Sequence, residues 1–133
     1  MNKIRSYVGF AIKSKSILMG QSQIKYYKKE LFLILLSNDA SENLINLASN
    51  VAKRHNCQVL QLNVKLEEIT NTENVKIIGI TNDNLANGII SEYAKINKLS
   101  DWSNNNEKKI SFANNYRLIT SGLYFRFHFR LSN

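Results

Sequence analysis

The chain has 133 residues, of which 44% are hydrophobic and 21% charged, with a formal net charge of +8 at pH 7. That length suits one domain with its own core, and no apolar run approaches the roughly 20 residues that cross a bilayer. Cys57 is the only cysteine, so no intrachain disulfide forms and a reducing compartment is expected. The charged N-terminus has no continuous apolar stretch, and a secretory leader is not expected.

Apolar residues at Ile4, Tyr7, Val8, Ala11 and Ile12 follow helical spacing and predict a first helix with one core-facing stripe. A short strand is expected over 16–19. After Gly20 comes a short helix over 21–29, with Ile24 and Tyr27 facing inward. Residues 31–36 are six consecutive large apolar side chains, ended by Ser37-Asn38-Asp39-Ala40-Ser41. A short unbroken apolar run bounded by turn residues predicts a strand over 31–37 buried on both faces. The cluster at the carboxyl end of such a strand is a common binding edge in open α/β sheets.

The stripe Leu44, Leu47, Ala48, Val51, Ala52 predicts the next helix, capped by Asp39 or Ser41. A strand over 58–62, a short helical turn over 65–69 and a strand over 75–81 follow. The last stripe, Ala86, Ile89, Ile90, Tyr93, Ala94, predicts a helix capped by Asn82 or Asp83. Alternating helices and strands predict the α/β class, as a three-layer α/β/α sandwich around a largely parallel or mixed sheet.

The chain changes character near Asn97, which divides it into a domain over 1–97 and an extension over 98–133. Residues 100–109 are polar and read as a linker. Residues 123–131 alternate strictly, with Phe125, Phe127, Phe129 and Leu131 on one face and Tyr124, Arg126, His128 and Arg130 on the other, the period of a strand. Three readings stay open: an edge strand or hairpin on the body, a basic-aromatic appendage that touches RNA, and a poorly ordered tail.

Charge is unevenly distributed. Residues 1–29 carry Lys3, Arg5, Lys13, Lys15, Lys25, Lys28 and Lys29 and no acid, whereas residues 30–101 hold six basic and nine acidic side chains. Residues 102–133 return to five basic and one acidic. A basic N-terminal segment on a mildly acidic body gives an oriented field that suits a polyanion. Catalytic patterns do not stand out. The five glycines are scattered at 9, 20, 79, 88 and 122, with no phosphate-cradling loop. His55 and Cys57 alone do not make a zinc site. His55 suits the carboxyl end of a helix, Cys57 a small buried position. Glu67 and Glu68 are neighbours and make a poor acid–base pair.

The junction Met19-Gly20-Gln21-Ser22-Gln23 joins a strand to a helix start, where backbone amides suit a phosphate. Lys25, Lys28 and Lys29 follow, and Lys13 and Lys15 precede it. Cations supply affinity, while Gln21, Ser22 and Gln23 offer groups that read base edges.

The order of segments over roughly residues 4–96 resembles the ribosomal protein family of the archaeal L-seven-Ae and L-thirty-e proteins, whose members recognise kink-turn RNA. Ile17-Leu18-Met19-Gly20-Gln21-Ser22-Gln23 is similar to the family's strand, glycine and polar helix start. Ser37-Asn38-Asp39-Ala40-Ser41-Glu42-Asn43 is similar to its apolar strand and A-x-D-A-like turn, and Gly79-Ile80-Thr81-Asn82-Asp83-Asn84-Leu85-Ala86 to its last strand and helix. Ser22 and Gln23 stand where many kink-turn binders have Asn-Glu, and Tyr26 where they have lysine. Leu66-Glu67-Glu68-Ile69-Thr70-Asn71 stands for their glycine-containing loop, and Asn71 suits a left-handed backbone.

The resemblance implies the L-thirty-e type of α/β/α sandwich and a non-catalytic RNA-binding protein without cofactor or metal, recognising structured, kink-turn-like RNA. Gly20 would shape the turn, and Gln21, Ser22 and Gln23 would contact bases or sugars. Lys25, Lys28 and Lys29 would contact phosphates, with Lys13 and Lys15 at the rim, and Lys65, Leu66 and Ile69 would line a second loop. Ribosomal RNA is the expected partner, with ribosomal proteins as further partners. A cytoplasmic, ribosome-associated monomer without membrane contact is expected. The competing expectation is a protein-interaction module that kept the fold and lost kink-turn recognition, using the 67–71 loop and the aromatic tail.

Overall fold

The computed structural model of the chain describes residues 2–96. The expected linker and C-terminal strand lie outside the described residues. Among the described residues five helices and four strands alternate: α1 (Asn2–Lys13), β1 (Ile17–Met19), α2 (Gln21–Tyr26), β2 (Leu33–Leu36), α3 (Glu42–His55), β3 (Gln58–Gln61), α4 (Leu66–Thr70), β4 (Ile77–Ile80) and α5 (Asp83–Ile96). The strand order is β1-β4-β2-β3. β2 runs parallel to β3, and β4 runs antiparallel to both β1 and β2. β1, β2 and β3 therefore point the same way, and the sheet is mixed.

Helices cover both faces. On one, Ile4, Val8 and Ala11 of α1, Leu66 and Ile69 of α4 and Ala86 and Ile89 of α5 pack with Leu33, Leu35, Leu60, Ile78 and Ile80. On the other, Ile24 of α2 and Ala48, Val51 and Ala52 of α3 pack with Ile34, Leu36, Val59 and Ile77. All four residues of β2 are buried, because alternate side chains meet alternate helix layers. Each such side chain removed from water stabilises the fold by about 1.5–3 kcal/mol. A Cβ at Gly88 would lie 2.6 Å from the Tyr7 ring, so the glycine lets α5 close on α1.

Details differ from expectation for local reasons. Ile12 belongs to the α1 stripe by spacing but is 36% exposed, because the helix ends one residue later, at Lys13. α2 stops at Tyr26, where Tyr27 turns extended so that the chain can return to β2. Ser41, not Asp39, caps α3, accepting the Leu44 N–H at 3.2 Å. Asn82 Oδ1 accepts the Leu85 N–H at 2.9 Å at the start of α5. Asn71 is left-handed, with φ 56°, and ends α4.

Candidate nucleic-acid interface

Strand direction decides where each candidate residue lies. Gly20 follows the carboxyl end of β1, and its N–H donates to the Ile77 carbonyl at 3.0 Å. Gly20 has φ 92° and ψ 158°, a backbone geometry open essentially to glycine alone. Gln21, Ser22 and Gln23 then open α2 as exposed residues. Gln23 Oε1 accepts the Met19 N–H at 3.1 Å, which fastens the helix start to the strand and leaves the two amide hydrogens as donors. The helix has six residues, about 9 Å of rise, and only Ile24 is buried.

The far end of α2 meets the far end of α3. Both helices run antiparallel to the strands they follow, so their carboxyl ends share the amino end of the parallel strands. Arg54 Nη2 donates to the Lys25 carbonyl at 2.7 Å. His55 Nε2 donates to the Tyr27 carbonyl at 3.1 Å. A carbonyl oxygen only accepts, so Nε2 carries the hydrogen of that bond. The Tyr27 and His55 rings lie 6.4 Å apart, tilted by 34°. Lys25 Nζ sits 5.5 Å from the centre of the Tyr26 ring. These contacts bound a groove of about 570 Å3 lined by Lys25, Tyr26, Tyr27, Lys28, Arg54 and His55.

The same end of the sheet carries more cations. Thr81 N–H donates to the Ser16 carbonyl and Phe32 N–H to the Ile80 carbonyl, which brings the start of β1 beside the start of β2. Lys13 and Lys15 lie just before β1, and Lys28 and Lys29 just before β2; all four are exposed. Lys53 and Arg54 close α3. Among the described residues Glu30 and Asp83 are the acids on this end.

The carboxyl end of the parallel strands is different. There Lys65 is exposed among Asp39, Glu67, Glu68 and Glu73. Leu66 is fully buried and Ile69 is 6% exposed, both in the core. They correct the expectation of a loop that lines the RNA site: Leu66 and Ile69 form the inner face of α4, and their apolar side chains serve packing. Lys65 stands apart from the other predicted cations. Gln21 through Lys25 stay together on one short helix, with Gly20 just before it and Lys28 and Lys29 just after it.

The turn after β2 is also internally committed. Ser37, fully buried, donates from Oγ to Asp39 Oδ1 at 2.7 Å and accepts the Leu66 N–H at 3.1 Å. Lys76 Nζ donates to Asp39 Oδ2 at 2.7 Å and lies 3.5 Å from Glu67 Oε1. The Lys76 bond, with the Ser37 hydroxyl beside it, holds the Asp39 carboxyl at about 2, below its ordinary 3.8. The Asn74 N–H, with Lys76 nearby, holds Glu67 low as well, while Asp39 raises Lys76. This edge joins β2, α4 and β4, which explains its conspicuous sequence without a ligand.

Tyr26, Tyr27, Arg54 and His55 are groove residues that sequence reading did not assign. The available signal was two helices that each end in basic and aromatic residues just before a strand. Among the described residues no group of three or more His, Cys, Asp or Glu side chains could hold a metal ion. No helix of the described residues is long and apolar enough to cross a membrane.

The chain matches no protein-family model and no curated protein. Its fold is similar to that of a solved protein with unknown function from Bacillus halodurans C. The two share 17% sequence identity and a TM-score of 0.62, over 67% of this chain and 94% of that one. At that identity the likeness is one of fold alone.

Proposed function

We propose that this protein is a non-catalytic RNA-binding protein of the L-seven-Ae and L-thirty-e type, ribosomal or ribosome-associated, that engages structured, kink-turn-like RNA along α2. The observation that carries the reading is the segregation of charge: Lys13, Lys15, Lys25, Lys28, Lys29, Lys53 and Arg54 all lie toward one end of the fold, with Glu30 and Asp83 as the acids there among the described residues. Exposed Gln21, Ser22 and Gln23 begin the helix that leads into that end. Backbone contacts then give affinity and the amides give selectivity. Ribosomal RNA is the partner this combination suits first, in the cytoplasm.

The test is a titration of fluorescent RNA at about 0.15 M salt, near physiological ionic strength. One RNA carries a kink-turn; its control has the G·A pairs replaced by Watson–Crick pairs. Preferential binding to the kink-turn, weakened by Gln23→Ala, is the expected result. Lys28→Glu with Lys29→Glu is expected to weaken binding to both RNAs. If four to six phosphates are neutralised, the log–log salt slope is about −4 to −5. Salt-insensitive capture of a protein without enriched RNA would overturn the reading in favour of a protein-interaction module.

A further inference from the structure

Resting on the RNA-binding reading, we infer that the groove between α2 and the carboxyl end of α3 seats one unpaired nucleotide, an aromatic base carrying a phosphate. The volume of about 570 Å3 falls within the roughly 300–1,000 Å3 of small-ligand sites. Among the described residues, Lys25, Lys28 and Arg54 have no carboxylate at ion-pair distance; the ion pairs found there belong to Lys76 and Lys95. The groove therefore lacks an internal counter-charge and attracts an anion.

The aromatic part of the ligand follows from Tyr26. It is 69% exposed at the groove, and Lys25 Nζ sits near its ring. A planar base stacks on the exposed ring and gains from the cation beside it. Arg54 is held in place by its bond to the Lys25 carbonyl, and its remaining guanidinium donors suit a phosphate oxygen. An acidic peptide would meet the cations but offer no plane to Tyr26. A duplex keeps its bases inside the stack and offers only its backbone.

The experiment uses the full chain and four probes: a short single-stranded RNA, an abasic strand with the same number of phosphates, a blunt RNA duplex, and adenosine monophosphate. Each is titrated against wild type, Tyr26→Ala and Tyr26→Phe, with the urea midpoint as the folding control. The expected result is that the single strand binds about tenfold more tightly than the abasic strand, and that Tyr26→Ala removes this difference while Tyr26→Phe keeps it. Adenosine monophosphate competing as well as the strand would support the site and give it to free nucleotides; weak competition would support it as a seat within a longer RNA. Equal binding of the single strand, the abasic strand and the duplex, unmoved by Tyr26→Ala, would overturn the groove assignment and leave RNA binding standing. Failure of every RNA to bind would overturn both.

Discussion

Arg54 donates from Nη2 to the Lys25 carbonyl oxygen at 2.7 Å, across 29 positions of sequence. The bond joins the last turn of α3 to the end of α2 and builds one wall of the cationic groove from a helix only six residues long. It also satisfies a carbonyl that a helix end leaves without an intrahelical donor.

Replacing that guanidinium by an ammonium separates position from charge. Arg54→Lys keeps the positive charge and loses the planar fork. RNA affinity is expected to fall roughly threefold to tenfold, about 0.7–1.4 kcal/mol, with the salt slope unchanged. Anisotropy titrations at several salt concentrations check this. A loss of affinity accompanied by a shallower slope would mean that only the charge matters.

Gly20 is expected to resist substitution although space is available. A Cβ there would meet nothing within 4 Å, yet φ is 92°. Gly20→Ala should therefore cost about 1–3 kcal/mol through the backbone alone. Urea unfolding gives the value, and an unchanged midpoint would show that the turn relaxes freely.

Ser37 serves as a remote cap. Lys65, the residue at the start of α4, gives no side-chain cap, and the Leu66 N–H is met instead by Ser37 Oγ at 3.1 Å. Ser37→Ala would leave that buried N–H without a partner, at about 1–3 kcal/mol of stability. Hydrogen exchange should show the extra opening concentrated in 66–70.

Asp39 should link stability to acid pH. Its carboxyl titrates at about 2 in the fold against an ordinary 3.8, first because of Lys76 and then Ser37. A depressed folded value means that the contribution is present above the unfolded value and is lost as pH falls through the folded one. Wild type should exceed Asp39→Asn in urea midpoint at neutral pH, with the gap closing between about 3.8 and about 2. A gap that does not change across that range would exclude the ionised pair as its cause.

The element order was legible because burial leaves a local pattern. The run 31–36 and the three helical stripes each report a face that must leave water, and all nine elements occur in the order those patterns predict. The site was legible only in part. Gln21, Ser22, Gln23 and Lys25 share α2 as expected from adjacency, but Leu66 and Ile69 are core residues: apolar side chains in a short segment look alike whether they line a loop or face a sheet.

By itself the sequence determined the alternation of helices and strands, the apolar faces and the excess of positive charge, since each depends on residues close along the chain. Only the tertiary structure decided that β4 runs antiparallel between β1 and β2, and that Lys65 lies at the opposite end of the sheet from Lys13, Lys15, Lys28 and Lys29. Strand direction is set by pairings between distant segments, and it assigns every loop to one end of the sheet or the other. The groove has the same origin: Tyr26 and Arg54 come to line one groove only where two helix ends, far apart in sequence, pack side by side on one face.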